Sequence, residues 1–161
     1  ELLRPFGDLL ELSGFAGFED AEHVATCVLG AEKEHGFFRQ AMELYEGRTF
    51  LREGGEPDLT TNVEILTGLL GRNGLEPDGA RQSVMGMEIF PAEYFSPRSL
   101  ETGKLTKTGN TYAIHWFEAS WQTGSQRFHR KVAQVIGKKN TERLKKLLGR
   151  SGGPESSGRS G

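Results

Sequence analysis

The fold class is decided by two neighbouring stretches, LTTNVEILTGLLGRNG (residues 59–74) and SVMGMEIFP (residues 83–91). The first has apolar residues at helical spacing, a threonine cap at Thr60 or Thr61, and an Asn-Gly pair that ends a helix. Its predicted apolar face consists of Val63, Leu66, Leu69 and Leu70. The second alternates apolar residues with smaller or polar ones and stops at Pro91, which predicts a single strand.

The rest of the chain continues this alternation of helix and strand. SGFAGFED (13–20), HVATCVLGA (23–31) and TYAIHWF (111–117) are rich in β-forming residues and predict strands. KEHGFFRQAMELYEG (33–47) has apolar residues close to helical spacing, at Phe37, Phe38, Met42 and Tyr45, and a stop at Gly47. A long polar connection at 93–110 lies between the predicted strands at 83–91 and 111–117. Strands alternating with helices predict an α/β sheet.

The C-terminal region is basic. Residues 127–150 carry nine Lys or Arg against one acid, Glu142, although the whole chain has a net charge of −2. The apolar stripe predicts a basic amphipathic helix. Two interpretations stand: a solvated face packed on the sheet, or peripheral contact with an anionic membrane surface. Phe128 is the single interleaved aromatic residue of this segment, so the pattern does not favour nucleic-acid binding. Residues 1–150 are predicted to form one domain, and 151–161 a disordered Gly/Ser tail.

A single cysteine, Cys27, excludes an internal disulfide and predicts a reducing, cytoplasmic setting. It lies in an apolar run, so it is predicted to be a small core residue. The chain contains no run of 18 apolar residues, so its sequence predicts no membrane-spanning helix.

The common catalytic motifs are missing: the chain has no phosphate loop, dinucleotide fingerprint, HExxH or CxxC pair, or Gly-x-Ser-x-Gly elbow. His115 is therefore the strongest single candidate, because it ends a predicted strand and ligands bind at that edge of an α/β sheet. The alternative is a hydrogen-bonded core histidine, with Trp116 and Trp121 also in the core.

Six stretches taken in order carry a family resemblance. They are ELLRPFGDLLEL (1–12), GFAGFED (14–20), CVLGAEKEHGFF (27–38), LTTNVEILTGLL (59–70), EIFPAEYFSP (88–97) and YAIHWFEASW (112–121). Up to about Arg150, the chain resembles the C-terminal two-thirds of bacterial glycosyltransferases of the DXD-containing sugar-transferase family. That family includes capsular polysaccharide synthesis enzymes and the yeast initiating α-1,6-mannosyltransferase.

The resemblance implies a GT-A fold and a retaining, metal-dependent transfer from a nucleotide-sugar donor. An Asp-x-Asp motif would bind Mn²⁺ or Mg²⁺ and clamp the diphosphate, but in the family it precedes the stretch at residue 1. The resemblance therefore implies a partial domain with little transferase activity alone. His115 would contact the metal or diphosphate, Ser120 would bond to metal or phosphate, and Trp121 would cover the donor. Trp116 stands where many members have a second histidine.

Two further pairs are implied to face the acceptor or pocket. Thr61 and Asn62 begin the helix beside the pocket, although Thr60 or Thr61 could act only as an N-cap. Glu19 or Asp20 could orient an acceptor hydroxyl, with an exposed turn acid as the alternative.

The function expected is sugar transfer to a glycan or lipid-linked acceptor in polysaccharide biosynthesis, on the cytoplasmic side, with membrane contact through residues 127–150 and no nucleic-acid partner. The alternative is a non-catalytic α/β domain that binds glycan or an anionic membrane surface. A polyanion-binding module is the third class, and steep salt dependence would identify it.

Overall fold

The structure is a computed structural model that describes residues 1–116. One compact unit comprises Glu1–Ser99 and Lys104–Trp116, and Leu100–Gly103 belong to a second unit. Four strands and two helices form in the first unit: β1 (Gly14–Gly17), β2 (Gly30–Ala31), α1 (Gly36–Glu43), α2 (Asn62–Arg72), β3 (Gln82–Val84) and β4 (Met87–Phe90). A 3₁₀ turn follows at Ala92–Tyr94.

The sheet is mixed, with strand order β2-β1-β4-β3. Its central pair, β1 and β4, is parallel, with Phe15 opposite Glu88 and Gly17 opposite Phe90. The two outer pairings are antiparallel. The α/β class predicted from the sequence is confirmed at this level, while the GT-A assignment stays a prediction.

The side chains of the central strands alternate between the two faces of the sheet, and a cluster of buried residues covers each face. Ala16 and Ile89 point to the face that packs on α1 and α2, where the larger cluster of buried residues lies. Phe15 and Phe90 point to the opposite face and pack with Phe95 and with other residues of the flanking segments. This opposite layer is built from the segments before β1 and after β4.

The stretch 83–91 is a hairpin, so the prediction of a single strand is wrong. Met85 and Gly86 both have positive φ, 54° and 77°, and Val84 pairs with Met87 across them. Two positive φ values in a two-residue loop are what a type I′ turn requires, and that turn matches the twist of the two strands. The chain therefore reverses inside the predicted strand.

Two other predicted strands are mostly irregular. Within 23–31, only Gly30–Ala31 forms a strand of the sheet. Val24 makes a single antiparallel bridge to Phe18, beside which the Ala25 amide donates to Gly17 O at 2.8 Å, while the Val24 amide itself donates to Thr67 Oγ1 of α2 at 2.9 Å. Within the described part of 111–117, only Ala113 forms a bridge, to Leu2. Cys27 is exposed as a residue, so its prediction as core is also wrong.

Both predicted helices are confirmed, with a correction to the face of each. α2 is capped by Thr61 and Asn73, and its buried side chains are Ile65, Leu66, Leu69 and Leu70, so Ile65 is buried where Val63 was predicted. α1 buries Phe37 and Ala41, but Met42, predicted on the apolar face, is 72% exposed. The exposed Met42 lies beside a groove described below.

The remaining predictions fall elsewhere. The basic segment 127–150 and the tail 151–161 lie outside the described residues, as do Ser120 and Trp121. Among residues 1–116, no helix is both long and apolar enough to cross a bilayer.

Candidate functional site at the carboxyl edge of β1 and β4

The parallel strands β1 and β4 end side by side, and several polar residues follow them. The Phe18 amide donates to Phe90 O at 2.8 Å, which joins the two strand ends. Glu19 comes next after β1, and the segment to Ser96 follows β4. Because ligands of α/β sheets bind at the carboxyl ends of parallel strands, this edge is the candidate site.

Glu19 is the half-buried carboxyl group of this edge. Its amide donates to His23 O at 2.7 Å, so the backbone at this position is fixed. Burial raises the pKa of Glu19, and the neighbouring charge of Asp20 raises it further. A carboxylate with a raised pKa is better suited to accept or return a proton near neutral pH.

Asp20 has a different task from Glu19. Its Oδ1 accepts hydrogen bonds from the amides of Glu22 and His23, both at 2.8 Å, and the His23 ring lies 3.0 Å away. Burial opposes ionisation of Asp20, but these bonds together lower its pKa. Asp20 therefore holds the turn after β1 in shape, as the turn-acid alternative describes.

A thiol and a hydroxyl meet at the same edge. Cys27 Sγ lies 3.4 Å from Ser96 Oγ, and Ser96 is buried. Desolvation of the sulfur raises the pKa of Cys27, and the carboxylate of Glu19 raises it further. The thiol therefore stays protonated at neutral pH and is a weak nucleophile.

His115 reaches this edge through its backbone. Tyr94 O accepts from the amides of Tyr112 and Ala113, at 2.8 and 3.2 Å, and the His115 amide donates to Phe95 O at 3.2 Å. Burial lowers the pKa of His115, and the positive amino group of Glu1 lowers it further. The ring is therefore neutral at pH 7, the form in which imidazole binds metals or accepts a proton.

Trp116 lies at the surface beside His115, and its ring is held at two points. Its Nε1 donates to a carboxylate oxygen of Glu1 at 3.1 Å, and the Arg98 guanidinium lies 5.7 Å from the ring centre. The residue is 38% exposed, so it is not the core tryptophan of the alternative interpretation. Its indole can report binding at this edge by fluorescence.

Thr61 and Asn62 lie in a different place, at the start of α2. Thr61 forms a complete capping box: its hydroxyl accepts from the Glu64 amide at 3.2 Å, and its own amide donates to the Glu64 carboxylate at 2.7 Å. Asn62 Oδ1 accepts from the Tyr45 hydroxyl at 2.8 Å and lines a cavity beside α1. The N-cap alternative accounts for Thr61, whereas Asn62 is an exposed residue of the cavity lining.

Replacing Thr61 by alanine is expected to lower the free energy of unfolding by about 1 kcal/mol, because the Glu64 amide loses its acceptor. Urea denaturation measures the change. Thr61→Ser keeps the hydroxyl and is expected to restore most of the loss. If serine were as harmful as alanine, the capping bond would not be what Thr61 contributes.

The described residues do not by themselves fit a divalent cation. Within residues 1–116, no three His, Cys, Asp or Glu side chains are grouped so that they could hold a metal ion. Of the predicted metal ligands, the described part of the chain supplies His115 alone. No chemical step is therefore assigned to a metal here.

Two features of the structure, one at this edge and one at the start of α1, were not predicted from the sequence. The pairing of Cys27 with Ser96 joins residues far apart in the chain, and no local pattern indicates it. His35 is the N-cap of α1, accepting from the Phe37 amide at 3.2 Å. A polar residue before Gly36 and two phenylalanines was the available signal for that cap.

Comparisons with protein-family models, with characterised proteins and with solved structures give no match. The resemblance to DXD-containing sugar transferases therefore stays a prediction, and the site must be judged by its own geometry.

Proposed function

We propose that this chain belongs to a glycosyltransferase that moves a sugar from a nucleotide-sugar donor to a glycan or lipid-linked acceptor in polysaccharide biosynthesis. The observation that carries the proposal is the convergence of Glu19, Ser96 and the segment ending in His115 at the carboxyl edge of one parallel strand pair. That edge is where α/β proteins bind nucleotides.

The chemistry of sugar transfer matches these groups. The acceptor oxygen forms a bond to the anomeric carbon, the bond from that carbon to the phosphate oxygen breaks, and the acceptor hydroxyl loses its proton. Glu19, with its raised pKa, is suited to take that proton. A neutral His115 can donate one hydrogen bond to an oxygen of the departing diphosphate.

One part of the proposal comes from the resemblance: the requirement for Mn²⁺ or Mg²⁺, for which the described residues offer no grouped ligands. Contact of residues 127–150 with an anionic membrane from the cytoplasmic side is proposed from the basic charge of that segment. Ser120 and Trp121, proposed to contact the phosphates and cover the donor, belong with these predictions.

The test compares the chain with a form extended upstream through the Asp-x-Asp motif that the resemblance implies. Each is titrated with UDP- and GDP-sugars, with and without Mn²⁺; binding is measured by tryptophan fluorescence and sugar release by chromatography. We expect at least one donor to quench the fluorescence of the extended form, because Trp116 adjoins His115. In that form, His115→Ala is expected to weaken binding about ten-fold or more, the effect of losing a hydrogen bond to a charged group. Glu19→Gln is expected to keep its donor affinity and lose its sugar release.

Glu22→Gln is the matched control, since this exposed residue contributes only its amide to the Asp20 turn. Its affinity and sugar release should equal those of the unaltered chain. Absence of quenching by every donor, with and without Mn²⁺, would contradict the proposal. The non-catalytic alternative predicts glycan binding that is independent of nucleotide.

A further inference from the structure

Two cavities lie side by side along α1, apart from the edge described above. The first encloses about 410 Å³ and is lined by residues 31–42, among them His35 and Arg39. The second encloses about 300 Å³ and is lined by Thr26 and Asn62, among others. Both share Phe38 and Met42, so we treat them together as the α1 groove. Volumes of this size are typical of small-ligand sites.

A hydrogen-bond donor lies on a residue in the wall of the first cavity. His35 is only 8% exposed, and its Nδ1 accepts from the Phe37 amide, so Nε2 carries a ring proton. Within residues 1–116, Nε2 forms no hydrogen bond to another residue and is not among the fully buried atoms that lack a partner. This N–H therefore keeps access to solvent and can bond to a ligand in the groove.

The rest of the lining is both apolar and polar. Phe38 and the exposed Met42 supply apolar surface shared by the two cavities. The rim of the first cavity carries two carboxylates, Glu32 and Glu34, and one guanidinium, Arg39. The ligand should therefore present an apolar face together with groups that both donate and accept hydrogen bonds.

We propose that the α1 groove binds a neutral glycan, as the part of the acceptor chain that lies away from the reacting sugar. A pyranose ring presents C–H groups on its faces and hydroxyls around its rim, which matches this lining. Anionic sugars are disfavoured, because the two rim carboxylates outnumber the guanidinium. The assignment of the glycan as an acceptor rests on the proposed function.

The position of the groove agrees with that assignment. Thr26, in the wall of the second cavity, precedes Cys27, whose sulfur lies against Ser96 at the carboxyl edge. The first cavity lies at Ala31, which pairs with Gly14 at the opposite end of β1. A glycan in the groove would therefore extend along α1, away from the edge where transfer is proposed.

The test measures binding of neutral tetrasaccharides of glucose, galactose and mannose to the chain by saturation-transfer NMR and calorimetry, without nucleotide. We expect at least one of them to bind. His35→Asn keeps an oxygen that can cap α1 but removes the Nε2 donor, and it should weaken binding about five-fold. Met42→Glu changes an exposed side chain in the shared wall and should weaken binding by a similar factor.

Glu43→Gln is the control, because Glu43 lies on α1 and is exposed but does not line the groove. Its affinity should be unchanged. Failure of all three tetrasaccharides to bind would overturn the inference. So would equal affinities for the unaltered chain and Met42→Glu, or equally tight binding of an oligosaccharide of glucuronic acid.

The outcome separates this inference from the proposed function. Glycan binding that Met42→Glu weakens, in a chain that binds no nucleotide-sugar, would support the groove and contradict the transferase. Donor binding that His115→Ala weakens, with no glycan binding in the groove, would do the reverse.

Discussion

Replacing Phe18 by alanine is expected to lower the free energy of unfolding by about 3–5 kcal/mol. The ring of Phe18 is fully buried, in the cluster that joins the sheet to α1 and α2. Truncation leaves a cavity between packed elements, so the loss of buried apolar surface and the cavity both lower the free energy of unfolding. The amide of Phe18 still donates to Phe90 O, so the backbone pairing survives. Urea denaturation followed by circular dichroism measures the change.

Phe50→Ala is the matched control for this substitution. Phe50 is 70% exposed, so the same chemical change removes little buried surface and should alter stability by about 0.5 kcal/mol or less. If both variants lost the same amount of stability, Phe18 could not lie in the core that the structure describes.

Gly30→Ala is expected to destabilise the protein by about 1–3 kcal/mol, through crowding instead of a cavity. A methyl group at Gly30 would lie 2.2 Å from Cε1 and 2.4 Å from Cζ of Phe15. Phe15 has little room to move, because its ring is 3% exposed and packs against Phe6 and Phe95 at centroid distances of 6.0 and 6.1 Å. The midpoint of urea denaturation should fall.

Gly36→Ala controls for the loss of glycine itself. No atom lies within 4 Å of a methyl group at this first residue of α1, and alanine favours the helix. Its stability should stay equal or rise slightly. A Gly30→Ala variant as stable as Gly36→Ala would show that β2 does not lie against Phe15.

The helices could be predicted from the sequence because their signals are local. Thr61 with Glu64 three residues later marks the start of α2, and Asn73-Gly74 marks its end. The face of α1 was predicted less well: spacing alone cannot distinguish Ala41, which is buried, from Met42, which is exposed.

The strands were harder to predict, because their partners are distant in the chain. The reversal at Met85 needs a methionine with positive φ, and only Gly86 hinted at it. Val24 makes only a single bridge, to Phe18, and its amide bonds to a threonine of α2.

The residues of the candidate site and of the groove also differ in how far they could be predicted from the sequence. His115 was singled out by its place at the end of a predicted strand and Glu19 by the family resemblance, whereas Ser96 and the groove donor His35 depend on tertiary contacts.

The topology of the sheet also predicts the order in which its strands pair during folding. The β3–β4 hairpin needs only the two-residue turn at Met85 and Gly86, so its ends meet at small entropic cost. The parallel pairing of β1 with β4 closes a loop that contains both helices. Its contacts stabilise the chain only after the entropic cost of closing that loop has been met. We therefore expect the hairpin to form early, and the carboxyl edge that carries Glu19 to be completed among the last steps of folding.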